Sequence, residues 1–125
     1  MNGIIEITVP SGKKRLVMNY YATMEFEQAF FKNTTGNNAK IFTDLVYSGM
    51  YGEAMLSYTQ MPTYQEAVML VSEMADQDNF DEVSLQIWDT YNQSKWGKDF
   101  QKRAVEFALE QKKKAETPEV KTKKK

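Results

Sequence analysis

Beyond Ala22 the apolar residues return at intervals of three and four as far as Phe107, and Pro62 is the one proline among them. That spacing repeats the buried face of an α-helix, so it confines most of the chain to a helical fold. Thr23 is placed to cap a first helix carrying Met24, Phe26, Phe30 and Phe31, with Glu25 and Glu27 near the positive end of its dipole. The polar run 33–38 reads as a loop, and a second helix extends from about Ala39 to about Tyr58. Residues 59–62 break it. Thr63-Tyr64-Gln65-Glu66 then matches a capping box, a threonine with a glutamate three residues on. The helix it opens places Tyr64, Ala67, Leu70, Val71, Met74 and Ala75 on one face. The polar break 76–81 offers Asp78 or Asp81 as cap for a fourth helix with Val83, Ile87, Trp88 and Tyr91. A fifth, from near Trp96, aligns Trp96, Phe100, Ala104 and Phe107.

The first 21 residues have a different period. Ile5, Ile7 and Val9 alternate with Ile4, Glu6 and Thr8, which is strand patterning. Pro10-Ser11-Gly12-Lys13 carries turn chemistry, and Arg15–Tyr21 supplies a second strand with Leu16, Met18 and Tyr20 on one side. A lone hairpin is barely stable, so it must lie against the helices. The expected fold is mainly α, about five helices with a small N-terminal β-hairpin.

The chain has 125 residues, enough for one real core. It contains no cysteine and no histidine, which removes disulfides, thiol nucleophiles, Cys/His zinc sites and every triad that uses histidine. The net charge of −1 conceals an asymmetry. Gln111 to Lys125 holds seven lysines and two glutamates, a balance of +5, while the first 110 residues hold 9 basic and 15 acidic side chains, a balance of −6. An acidic body is poorly suited to phosphate contacts. The lysine-rich segment has almost nothing to bury, so residues 1–111 are expected to form a single helical domain and 112–125 a disordered basic tail. The opening residues lack the order of charge and apolar run that a secretory signal needs, and no window reaches the length of a spanning helix. The expected location is the cytoplasm.

Three features invite a functional reading. Asp76-Gln77-Asp78-Asn79-Phe80-Asp81 looks like the start of a calcium loop, but position 5 is Phe80, position 6 is Asp81 and position 12 is Ile87, so the EF-hand pattern fails. Gly49-Met50-Tyr51-Gly52 is followed by no lysine and is not a phosphate loop. Two glycines inside a helix weaken it by roughly 1 kcal/mol each, so they imply a close approach by another part of the chain. The second helix itself carries two apolar stripes. Ile41, Phe42, Leu45, Gly49 and Leu56 fall together and face the core; Tyr47, Tyr51, Ala54, Met55 and Tyr58 fall on the opposite side. The second stripe is either covered within the monomer or meets a partner, and tyrosine and methionine suit an interface. Tyr47, Tyr51, Met55 and Tyr58 are therefore the candidate partner-binding residues. No residue set has the roles that catalysis demands, so neither enzyme activity, cofactor nor metal is expected.

The element order, the step Leu45-Val46-Tyr47-Ser48-Gly49-Met50 and the helix start Thr63-Tyr64-Gln65-Glu66-Ala67-Val68 resemble the tail assembly chaperones of long-tailed bacteriophages and their prophage relatives. The resemblance covers about residues 4 to 110. Members commonly show a Tyr/Ala-Gly-Met/Leu step followed by a Thr-x-Glu-Glu-like cap, whereas Gln65 precedes Glu66 here. The resemblance implies a non-enzymatic virion assembly factor in the bacterial host cytoplasm. Such a factor binds the tape measure protein and helps recruit tail tube protein. The Tyr47, Tyr51 and Tyr58 side of the second helix, an apolar surface that a monomer would expose, points separately to a homo-oligomer, and neither membrane nor specific nucleic acid is an expected partner. The alternative is a small helical adaptor or regulatory protein whose basic tail contacts nucleic acid non-specifically.

Overall fold

Pro10 and Ser11 form a two-residue turn that joins β1 (Ile4–Val9) to β2 (Gly12–Val17), antiparallel from Val9↔Gly12 at the turn to Ile4↔Val17 at the open end. The computed structural model describes residues 3–32 and 38–124, with side chains as far as residue 113. The second strand lies earlier than the expected 15–21. The two-residue turn fixes the register, so the ladder closes at Ile4 and Val17, with one further bond from the Met18 N–H to the Gly3 carbonyl. Tyr20 and Tyr21 instead open α1 (Tyr20–Lys32). Asn19, not Thr23, caps it: its Oδ1 accepts the Ala22 N–H at 3.0 Å, and Thr23 becomes a buried residue of the helix.

The four remaining helices are α2 (Asn38–Ser57), α3 (Tyr64–Ala75), α4 (Phe80–Gln93) and α5 (Lys95–Lys124). The chain is thus mainly helical, five helices with one two-stranded hairpin. Asn38, expected in the preceding loop, already belongs to α2; residues 33–37 of that loop lie outside the described residues. The capping box of α3 is complete. The Glu66 N–H donates to Thr63 Oγ1 at 3.2 Å, and the Thr63 N–H donates to Glu66 Oε1 at 2.8 Å. At α4 the cap position falls to Asn79, which makes no side-chain cap bond, rather than to Asp78 or Asp81. Asp81 and Glu82 sit in the first turn, where the dipole favours them. The backbone of α5 continues as helix to Lys124 through the segment whose composition suggests a disordered tail; its side chains past residue 113 lie outside the described ones.

The glycine pair explains how the hairpin joins the helices. A Cβ on Gly49 would stand 2.8 Å from Leu16 Cβ, and one on Gly52 would stand 2.1 Å from the Val17 carbonyl oxygen. The missing side chains let β2 lie directly on α2, and Asn19 Nδ2 donates to the Gly52 carbonyl at 3.1 Å beside that contact. Leu16, Leu45, Val46 and Met74 are buried in the core this creates, with Ile7 and Val9 of β1 turned toward α3 and α4. Phe26 is the centre of an aromatic cluster that gathers α1, α4 and α5: its ring lies 5.2 Å from Tyr91, 5.1 Å from Phe100 and 5.9 Å from Trp88.

Three expected core positions lie outside this packing. Leu56, assigned to the core stripe of α2, is 50% exposed, because the last turn of the helix runs past the elements that cover Phe42 to Ala54. Tyr64 and Ala75, assigned to the core face of α3, are exposed at its two ends. The helix α2 ends with Tyr58 in the left-handed region at φ 56°, and the Thr59 N–H donates back to the Ala54 carbonyl at 3.0 Å. This is the geometry of a Schellman cap, in which glycine is the usual occupant.

Candidate functional site

The second stripe of α2 divides along its length. Ala54 is buried, Tyr47, Tyr51 and Met55 are half-buried, and Tyr58 is 95% exposed. Tyr47 and Tyr51, one turn apart, have ring centroids 6.4 Å apart, and Tyr47 also meets Tyr64 of α3 at 5.7 Å. The structure therefore brings Tyr47 and Tyr51 together with a residue that periodicity had assigned to the core. Tyr58 stands apart on the left-handed cap. Burial pushes the Tyr47 phenol above its ordinary value, with the negative charge of Glu25 and then Tyr51 acting in the same direction.

Beneath these rings lies a polar group that the sequence reading passed over. Asp44 is 3% exposed on α2. Its Oδ1 accepts the Tyr64 hydroxyl at 2.8 Å, and both its oxygens accept from Lys40 Nζ at 3.1 Å. Lys40 Nζ lies 5.3 Å from the centroid of the Tyr64 ring, so the same cation faces the carboxylate and the aromatic that it binds. Burial raises the Tyr64 phenol strongly, reinforced by the hydrogen bond to Asp44 and its charge. The pairing fixes the start of α3 against α2 and holds Tyr64 beside Tyr47. Lys40 and Asp44 at i and i+4 were the available signal, but nothing in the sequence joins them to Tyr64, twenty residues further on.

The exposed apolar residues continue past this cluster. Leu56 and Tyr58 at the end of α2, Met61 in the connection, and Val68 and Met69 on α3 all have large accessible fractions. Tyr58, Met61, Tyr64 and Val68 leave an apolar edge where α2 passes into α3, whereas Leu56 falls on the other side of α2 and Met69 lies beside Met50 and the hairpin residues Ser11 and Lys14. The chemistry of the edge is that of contact, apolar area with hydroxyls at the margin.

Elsewhere, among the described residues, no group of three or more acidic side chains is arranged to hold a metal ion, and no helix is long and apolar enough to cross a membrane. No family model, curated protein or solved structure matches the chain.

Proposed function

We propose that this chain is a non-enzymatic assembly chaperone of the phage-tail kind. It binds apolar helical segments of the tape measure protein in the host cytoplasm and assists recruitment of tail tube protein. The observation that supports this reading is the tyrosine and methionine edge at the α2–α3 junction, where Tyr51, Met55, Tyr58 and Tyr64 leave apolar surface uncovered by the rest of the chain. An amphipathic helix laid along such an edge buries its own apolar face there, which keeps a long helical client from aggregating.

The test is co-purification with a helical fragment of a phage tape measure protein. Binding to the wild type, weakened in Tyr51→Glu and in Tyr58→Ser, is the expected result. Tyr58 is almost wholly exposed, so its substitution reports on contact and not on folding. Absence of binding by the wild type refutes the reading. Nucleic-acid gel shifts that persist after removal of residues 112–125 would instead favour a true nucleic-acid-binding domain, and shifts abolished by that removal the adaptor whose basic tail makes the contact.

A further inference from the structure

Between residues 41 and 94 the chain has nine acidic side chains and neither lysine nor arginine. This acidic stretch contains α3, α4 and nearly all of α2, and the three helices border an open apolar groove of about 720 Å³. Phe42, Val71, Ala75, Phe80, Leu85 and Trp88 line it. Leu85, in this lining, is 64% exposed. Ser84, also in the lining, has a buried hydroxyl oxygen with no hydrogen-bond partner. Asp76, Asp78, Asp81, Glu82 and Asp89 are exposed along the α3–α4 side. The groove is thus apolar at its floor, with Asp81 in its lining and the other four carboxylates exposed on the adjoining turn and on α4.

The chain also carries a complementary surface. Phe100, Ala104 and Phe107 turn one side of α5 toward the body, where Phe100 meets Phe26 and Phe107 meets Phe31. At 100° per residue, Lys98, Lys102, Val105, Leu109 and Lys112 fall on the opposite side of the same helix, and all five are exposed. This outer stripe has two apolar residues one turn apart between lysines that span about 21 Å of helix. Asp81 to Asp89 span about 12 Å of α4, with Asp76 and Asp78 beyond its start.

We propose that the groove receives the outer stripe of α5 from a second copy of this chain. Val105 and Leu109 enter between Phe80, Leu85 and Trp88, and the lysines on either side meet the acidic rim. One copy offers the groove and the next offers the helix, so the contact is heterologous and can propagate along an assembly. The groove's lining shares no residue with the tyrosine edge, so the contact does not depend on client binding.

Sedimentation of the full chain over the micromolar range, at low and at high salt, tests this. The wild type is expected to self-associate, less at high salt because the rim contacts are screened. Leu85→Glu and Leu109→Glu each keep the helical circular dichroism of the wild type, both positions being exposed, and each weakens association by at least about tenfold. Asp81→Lys weakens it too while altering only an exposed charge. Mixing Leu85→Glu with Leu109→Glu restores a one-to-one dimer, since one retains a helix stripe and the other a groove. A wild type that is monomeric at both salts, variants that associate like the wild type, or a mixture with no recovery would each overturn the proposal. Client binding can fail while this mixture still dimerises, so the two readings fail separately.

Discussion

Gly52→Ala gives the sharpest test of how hairpin and helices fit together. In an open helix interior this change stabilises by about 1 kcal/mol, because glycine is the poorer helix former. Here the new Cβ would stand 2.1 Å from the Val17 carbonyl oxygen, 2.7 Å from Asn19 Oδ1 and 3.2 Å from Ala22 Cβ. The first neighbour is backbone and cannot rotate away, so β2 must lift from α2. The second is the atom that caps α1, and displacing it endangers a cap worth about 1 kcal/mol. Overpacking of a close contact adds about 1–3 kcal/mol. Set against the gain in helix propensity, the net effect is a destabilisation of about 1–3 kcal/mol. For a domain of this size that lowers Tm by roughly 4–15 °C. Gly49→Ala is the comparison, since its nearest neighbour is the Leu16 side chain at 2.8 Å, and its loss should be smaller. Thermal unfolding followed by circular dichroism measures both. If Gly52→Ala melts at or above the wild-type temperature, the strand does not sit on the glycine and the packing account is wrong.

Other substitutions probe the remaining strained or buried groups. Tyr58→Gly relieves a left-handed non-glycine residue and should raise stability by about 1 kcal/mol, seen as a higher denaturant midpoint at unchanged slope. Tyr64→Phe removes one of the donors to buried Asp44 and should lower stability by about 1–2 kcal/mol in the same assay, the half-exposed rim of the site limiting the loss. Burial, with Glu27 assisting, raises the Tyr91 phenol, while the Thr23 hydroxyl and Arg103 oppose the shift, and Tyr64 is raised as well. In the unfolded chain these phenols ionise near about pH 10. The stability they contribute is therefore complete below that pH and falls as pH rises above it, because the unfolded state loses its protons first. Unfolding titrations above pH 10 should show this decline, and Tyr91→Phe should make it shallower.

The parts of the fold legible in the sequence are those set by local chemistry. The capping box at Thr63 and the apolar period of the helices each depend on residues within a turn or two, and both appear in the structure as expected. The glycine pair was legible as a need for close approach, but its partner was not, since β2 lies more than thirty residues earlier in the chain. The start of α1 differs from the local expectation for a related reason. Thr23 and Asn19 are both acceptable caps, and Asn19 prevails because its amide also reaches the Gly52 carbonyl, a contact that exists only after the hairpin has docked. Competition between local signals is thus decided by tertiary contacts.

The same logic governs the surfaces. Periodicity placed Tyr47, Tyr51, Met55 and Tyr58 on one side of α2, yet whether that side is covered depends on what lies next to it in space. Tyr64 reaches across to Asp44 and brings its ring against Tyr47, covering part of the stripe, while the left-handed cap turns Tyr58 outward. On α4, Ile87 is wholly buried and Leu85 is left uncovered because the two stand about 200° apart on the helix, Ile87 toward the core and Leu85 at the groove between α2, α3 and α4. On α5 the body-facing aromatics exhaust the obvious apolar stripe, so Val105 and Leu109 look incidental until the helix is seen to carry them opposite Phe100 and Phe107. Both uncovered surfaces are thus faces of helices whose other side is already committed to the core. Substitutions there can alter association while the buried stripes continue to hold the fold, which is what makes these faces separable by mutation.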